Sequence, residues 1–185
     1  MLKQLAAEER WQEIAQIAEA ERSPSADLDY YYGVALAGLQ RWAEAEAAFT
    51  RGSVKAPRDK RFPIELAALC FKQKKYGQAA DYLHRALRLD PADTYATDLL
   101  ASVYFLQGNL DAALKYWNRV AKPRVERVLL DPPLKVDPAL LDRAFAFAPA
   151  SVLRLSEMQT TQTRVTGLGI FPDQKFDLEA RPDGA

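Results

Sequence analysis

The chain has 185 residues, 49% of them hydrophobic, with 25 Lys plus Arg against 25 Asp plus Glu; these divide 16 to 16 up to Ala121 and 9 to 9 after it. No half is basic enough to suggest a nucleic-acid partner or charged enough to read as a disordered tail. The single cysteine, Cys70, excludes an intramolecular disulfide and a cysteine-cluster metal site.

The opening MLKQLAAEERWQEIA is amphipathic and soon acidic, without the unbroken apolar core of a signal peptide. No later run approaches the ~18 consecutive apolar residues of a membrane-spanning helix. Trp11, Ile14 and Ala18 repeat the spacing of Trp42, Ala45 and Phe49 at an offset of 31 residues, behind only a stub of a preceding helix. Residues 1–25 therefore read as an incomplete leading repeat, either a cap on the array or the cut edge of a longer one.

From residue 26 the chain matches itself when shifted by 34. Gly33, Ala67 and Ala101 align, then Trp42, Tyr76 and Leu110, then Ala45, Ala79 and Ala113, then Phe49, Leu83 and Trp117, then Gly52, Ala86 and Val120. The small residues let two helices approach to the ~8–10 Å axial separation of packed helices. The large residue after each turn fills the space where one helix hands over to the next. Pro57 and Pro91 stop the second helix of the first two copies, since proline removes an amide donor and biases its predecessor away from the helical region. Asp93 and Asn109 are cap residues, Gly108 ends a helix, and Pro63 predicts a start at 63 or a lost first bond there. The repeats span 26–59, 60–93 and 94–121.

The composition changes at Lys122-Pro123, with five of the eleven prolines between Pro123 and Pro149. Val125 to Leu130 is a short branched apolar run, strand-like though not cleanly alternating. Asp137-Pro138 opens a helix carrying Leu141, Ala144 and Phe145 on one side. Ser156 and Gln159 have capping-box spacing for a further helix, ended by Gly167 and Gly169. Lys175 to Ala180 alternates, Phe176, Leu178 and Ala180 one way and Lys175, Asp177 and Glu179 the other. Arg181-Pro182-Asp183-Gly184 is a hairpin turn signal with no return strand after it, so the sequence reads as cut.

The aligned positions of residues 26–121 resemble the tetratricopeptide repeat, with its 34-residue period and W-x2-L-G-x2-Y, A-x3-F, P pattern. The segment 122–185, through RVERVLLDPPL, LLDRAF, RVTGLGIF and KFDLEARPDG, resembles an incomplete POTRA domain, the β-α-α-β-β module of outer-membrane assembly and translocation proteins. The other reading is an irregular α/β tail packed on the last repeat. The fold expected is mainly α: a right-handed α–α superhelix of about three and a half repeats over 1–121, followed by a small α/β POTRA-like segment.

Catalytic chemistry is not legible. His84 is the only histidine, one residue past a core position, and reads as a solvated or partly packed side chain. Cys70 lies among Ala67, Leu69 and Phe71 and reads as a buried inert thiol. GLG at 167–169 lacks the strand–turn–helix context of a dinucleotide fingerprint. The chain reads as a non-enzyme without cofactor or metal.

The tetratricopeptide resemblance places a concave groove on the first helix of each repeat. It implies Asp27, Tyr30, Val34, Ala37 and Gly38; Arg61, Ile64, Ala68, Phe71 and Lys72; and Tyr95, Asp98, Ser102, Phe105 and Leu106. The family's carboxylate-clamp members use lysines and asparagines there to hold a chaperone's C-terminus. This groove lacks those asparagines and is mainly apolar and aromatic, with Arg61 and Lys72 on its floor, which suits an extended or helical protein segment with apolar anchors. The alternative is a rigid spacer whose groove is filled by its own tail, such as the helix from Pro138 to Phe147. Lys55, Arg58, Lys60, Arg61, Lys72, Lys74 and Lys75 form either an attractor for an acidic partner or a solvated edge. The POTRA resemblance implies the N-terminal part of a bacterial envelope protein, in the periplasm or cell envelope; without it the expectation is cytoplasmic.

Overall fold

A computed structural model describes residues 1–130, 137–169 and 174–179. It divides into two units, Met1–Gln107 and Gly108–Ala185.

The first unit is a succession of helices: α1 (Leu2–Ala7), α2 (Trp11–Ala20), α3 (Ala26–Gly38), α4 (Trp42–Lys55), α5 (Arg61–Lys72), α6 (Tyr76–Leu89) and α7 (Thr94–Leu106). Each packs on the next in sequence, and α3 also touches α5. This nearest-neighbour ladder is how a solenoid buries surface that no single hairpin could cover alone. The core runs through it as Leu36, Ala45, Ala48, Phe49, Phe62, Leu66 and Leu69. At its start Leu5, Ile14 and Ala35 form a smaller cluster against Trp11 and Ile17.

The small residues do the steric work expected of them. A Cβ on Gly33 would lie 2.6 Å from Phe49 Cδ1, and one on Gly52 would lie 2.6 Å from Phe62 Cζ. Both rings are fully buried. The prolines act through their predecessors: Ala56 leaves the helix at φ −129°, ψ 73° and Asp90 at φ −141°, ψ 95°. Ser25 and Asp93 cap α3 and α7 by accepting from the Leu28 and Ala96 amides at 3.1 and 2.8 Å. Helix α5 opens at Arg61, two residues before the expected start. Pro63 costs nothing there, because the first-turn amides have no intrahelical acceptor.

The turns inside the hairpins hold a feature that the residue types conceal. Glu9, Gln40 and Lys74 adopt φ of 54°, 60° and 59°, the left-handed region, and Gly108 follows at 75°. The amide after each non-glycine donates five residues back: Arg10 to Leu5, Arg41 to Leu36 and Lys75 to Cys70, at 2.8–2.9 Å. This is the helix-ending geometry that glycine usually serves.

The second unit holds α8 (Leu110–Trp117), a 3-10 turn (Asn118–Val120), α9 (Pro138–Ala144) and α10 (Leu155–Gly167). Asn109 caps α8 through the Ala112 amide at 3.0 Å, and Asp137 caps α9 through the Ala139 amide at 2.9 Å. Leu114, Leu153 and Met158 form the core, with Val125, Phe147, Phe176 and Leu178 against it. The Asn118 amide stitches this unit, donating to the Leu153 carbonyl at 2.8 Å and accepting from the Leu155 amide at 2.9 Å.

Several expectations for this segment are corrected. No strand occurs among the described residues; residues 125–130 are irregular, and the pairing is one antiparallel bridge, Arg124 with Val152. Residues 175–179 put Phe176 and Leu178 inward as alternation required, but with no ladder beside them. Alternation selects an extended segment with one covered face, and a strand needs a neighbour as well. Ala180 and the 181–184 turn signal lie outside the described residues. Without strands among the described residues the POTRA-like α/β reading is unsupported, and the envelope placement loses the observation that carried it. Helix α10 begins at Leu155, where the Glu157 carboxylate accepts from the Arg154 amide at 3.1 Å, so Ser156 and Gln159 are not its capping pair. Phe145 lies just past α9 in extended backbone and meets Phe147 at a ring separation of 5.5 Å.

Candidate functional site

Helices α4 and α6 carry polar outer faces, whereas α3 and α7 are richer in apolar residues. A helix of that kind is normally covered on more than one side. On α3, Gly33, Ala35 and Leu36 are buried, while Tyr30, Val34 and Ala37 stay half-exposed. On α5, Ile64, Ala68 and Phe71 are half-exposed in the same way. On α7, Asp98, Ser102 and Phe105 are half-exposed, with Tyr95 59% and Leu106 48% exposed.

The structure ties several of these side chains together. Arg61 holds Asp27 at 2.8 Å and Asp59 at 2.7 Å, with its guanidinium 4.5 Å from the centre of the Tyr30 ring. Tyr30 meets the Phe62 ring edge-on at 6.0 Å and donates its hydroxyl to Glu65 at 3.1 Å. Arg61 and Tyr30 thus join the first helices of two successive repeats. Lys72 stands 5.1 Å over the Trp42 ring, and Phe71 contacts Tyr76 at 5.9 Å between centroids. Gly38 is not an open floor position: a Cβ there would meet the Trp11 indole at 2.7 Å.

Glu65 escaped the sequence reading, because its repeat position is not among those the resemblance marks as groove-lining. Burial raises its carboxyl pKa, opposed by the Tyr30 hydrogen bond and by the charge of Lys72. Tyr30 and Tyr95 are raised as well, first by burial and then by the Glu65 charge. Asp29 also escaped notice. It is fully buried, bound by Arg51 at 2.5 Å and by Lys55 at 2.5 Å, and Lys55 also donates to the Pro24 carbonyl.

These partners change the meaning of the basic cluster. Lys55 is held by Asp29, Arg61 by Asp27 and Asp59, and Lys60 by Asp90 and Asp93 at 2.6 Å each. Arg58, Lys74 and Lys75 remain exposed. Three of the seven positive charges that could draw in an acidic partner are therefore balanced by carboxylates within the chain. His84 is half-buried and shares a 2.9 Å hydrogen bond with the Tyr104 hydroxyl. Cys70 is buried, and burial followed by the Glu46 charge raises its thiol pKa, which leaves little thiolate. No helix among the described residues is long and apolar enough to cross a membrane.

Residues 71–127 match the family model described as tetratricopeptide repeat. No curated protein sequence matches the chain. Among solved structures the fold is similar to that of MamA, at 19% identity and a TM-score of 0.50 over 51% of this chain and 56% of that one. It is also similar to YrrB, described as having an unusual peptide-binding site, at 17% identity and a TM-score of 0.56 over 62% and 61%. The first repeat domain of Spaghetti (RPAP3), bound to the HSP90 peptide SRMEEVD, matches at 24% identity and a TM-score of 0.51 over 52% and 76%. The chain spans little more than half the length of the MamA structure. Residues 71–127 thus match the tetratricopeptide repeat, and the helical fold is shared with these solved structures.

Proposed function

We propose that the chain is a protein-interaction scaffold that binds a segment of another protein along one face of α3, α5 and α7. The carrying observation is that these helices keep half-exposed apolar and aromatic side chains at repeat-related positions, while Ala35 and Leu36, Leu66 and Ala67, and Leu100 and Ala101 on the same helices are buried. Tyr30 and Val34 on α3, Ile64, Ala68, Phe71 and Lys72 on α5, and Tyr95, Asp98, Ser102 and Phe105 on α7 line it. Arg61 braces it through Tyr30. The bound peptide in the Spaghetti structure supports the reading, because that domain shares this fold. Aromatic anchors in partly desolvated positions supply most of the energy in such contacts.

The test is Phe71→Ala combined with Phe105→Ala, with binding scored on a displayed peptide library. Binding should weaken by roughly tenfold or more while the helical circular dichroism signal persists. Unchanged binding with an intact signal refutes the groove. The spacer reading predicts instead that no peptide binds until residues 123–185 are removed.

A further inference from the structure

We infer that the centre of this face accepts a cation: the Glu65 carboxylate, beside Tyr30 and Tyr95, pairs with a lysine or arginine side chain of the bound segment. The inference rests on the groove reading and specifies its occupant.

A carboxylate offers about four acceptor directions. Glu65 is half-buried, uses one direction for the Tyr30 hydroxyl at 3.1 Å, and forms no ion pair among the described residues. A charge withdrawn from water in this way is costly until it is paired. Of the nearby cations, neither forms an ion pair with it, although the Lys72 charge reaches it. Arg61 is held by two aspartates and the Tyr30 ring, and Lys72 lies over Trp42.

The surroundings suit a cation on other grounds. Tyr95 is 59% exposed and close enough to Glu65 for the carboxylate charge to add to burial in raising its phenol pKa. Aromatic faces attract lysine and arginine, more strongly where water is partly excluded. Ile64 and Phe71, on the same helix as Glu65, are half-exposed apolar residues. The complementary segment is therefore a basic residue set between apolar ones, opposite in charge to the acidic end of the SRMEEVD peptide bound by Spaghetti.

The test uses the 185-residue chain and a phage-displayed library of randomised nonapeptides, selected against the wild type and against Glu65→Gln. The glutamine keeps an oxygen for the Tyr30 hydroxyl, so the variant retains the fold. Expected are peptides enriched in lysine or arginine between apolar residues on the wild type, with that enrichment absent on the variant. The most enriched peptide, resynthesised with norleucine in place of its basic residue, should lose at least about tenfold in affinity for the wild type and almost none for the variant. Enrichment of apolar or acidic peptides that still require Phe71 overturns the cation and leaves the groove standing. No Phe71-dependent enrichment overturns both. Concentration-dependent self-association that disappears in Glu65→Gln assigns the site to a second copy of the chain and overturns the peptide occupant.

Discussion

Removing the Asp29 carboxylate is the sharpest test of what holds α3, the helix that presents Tyr30 and Val34, in place. Asp29 is fully buried and receives charge-assisted bonds from Arg51 and Lys55 on α4. Each such bond contributes about 1.5–3 kcal/mol net. In Asp29→Ala both cations lose their partner, but their side chains are already 45% and 34% exposed and regain water, which offsets part of the loss. The expected cost is about 2–4 kcal/mol. At about 4–8 °C per kcal/mol for a unit of this size, the melting temperature should fall by roughly 10–25 °C. Urea unfolding followed by far-ultraviolet circular dichroism measures the free-energy loss, and thermal melting the temperature shift. A triple variant, Asp29→Leu with Arg51→Met and Lys55→Met, removes the desolvation penalty along with the bonds and should return to within about 1 kcal/mol of wild type. A loss below about 0.5 kcal/mol for Asp29→Ala refutes the reasoning. So does a loss that vanishes in about 1 M salt, because the pair would then behave as a screened surface contact.

Four further outcomes are expected. Gly33→Ala drives a methyl into the buried Phe49 ring and should cost about 2 kcal/mol or more, outweighing the ~1 kcal/mol helix-propensity gain, as read by thermal melting. Lys74→Gly relieves a left-handed backbone and should stabilise by about 0.5–1 kcal/mol after the extra chain entropy of glycine is counted. Gly108→Ala should destabilise by about 1 kcal/mol, with open space around the new methyl leaving conformation as the only cause. Glu65 has a folded pKa above its unfolded value, so the folded state holds its proton more tightly and ionisation costs stability as pH rises through that range. Glu65→Gln should therefore match or exceed wild-type stability at neutral pH, with the advantage gone below the ordinary glutamate pKa. A variant less stable at pH 7 than at pH 4, relative to wild type, contradicts this.

What could be read from the sequence was local and repeated. Gly33, Trp42, Pro57 and their counterparts act within one hairpin, so a shift by 34 residues exposes them as a pattern. The Asp93 and Asn109 caps were legible for the same reason, since the side chain bonds only a few residues away. Asp29 with Arg51 and Lys55 was not, because a buried aspartate and a solvated one are the same letter until the partner helix is placed. Glu65 was hidden by its position, and its partner Tyr30 lies a whole repeat earlier. The left-handed residues at 40 and 74 were missed because glutamine and lysine do not advertise that conformation, and only Gly108 does. The strand expected at 125–130 came from a branched apolar run and that at 175–180 from side-chain alternation, and both report a covered face and say nothing about a hydrogen-bonded neighbour.

The left-handed residues set the tolerance of the array to length changes. Each hairpin turn in the first unit is three residues long, 8–10, 39–41 and 73–75, with its middle residue at positive φ. An extra residue there would enter the following helix as a rotation of about 100° and swing Ala45 or Ala79 out of its buried seat. The connections between hairpins, 21–25, 56–60 and 90–93, already differ in length and hold no such lock. Insertions should thus be absorbed at one class of junction and be destructive at the other. Grafts, labels or added repeats belong in the former.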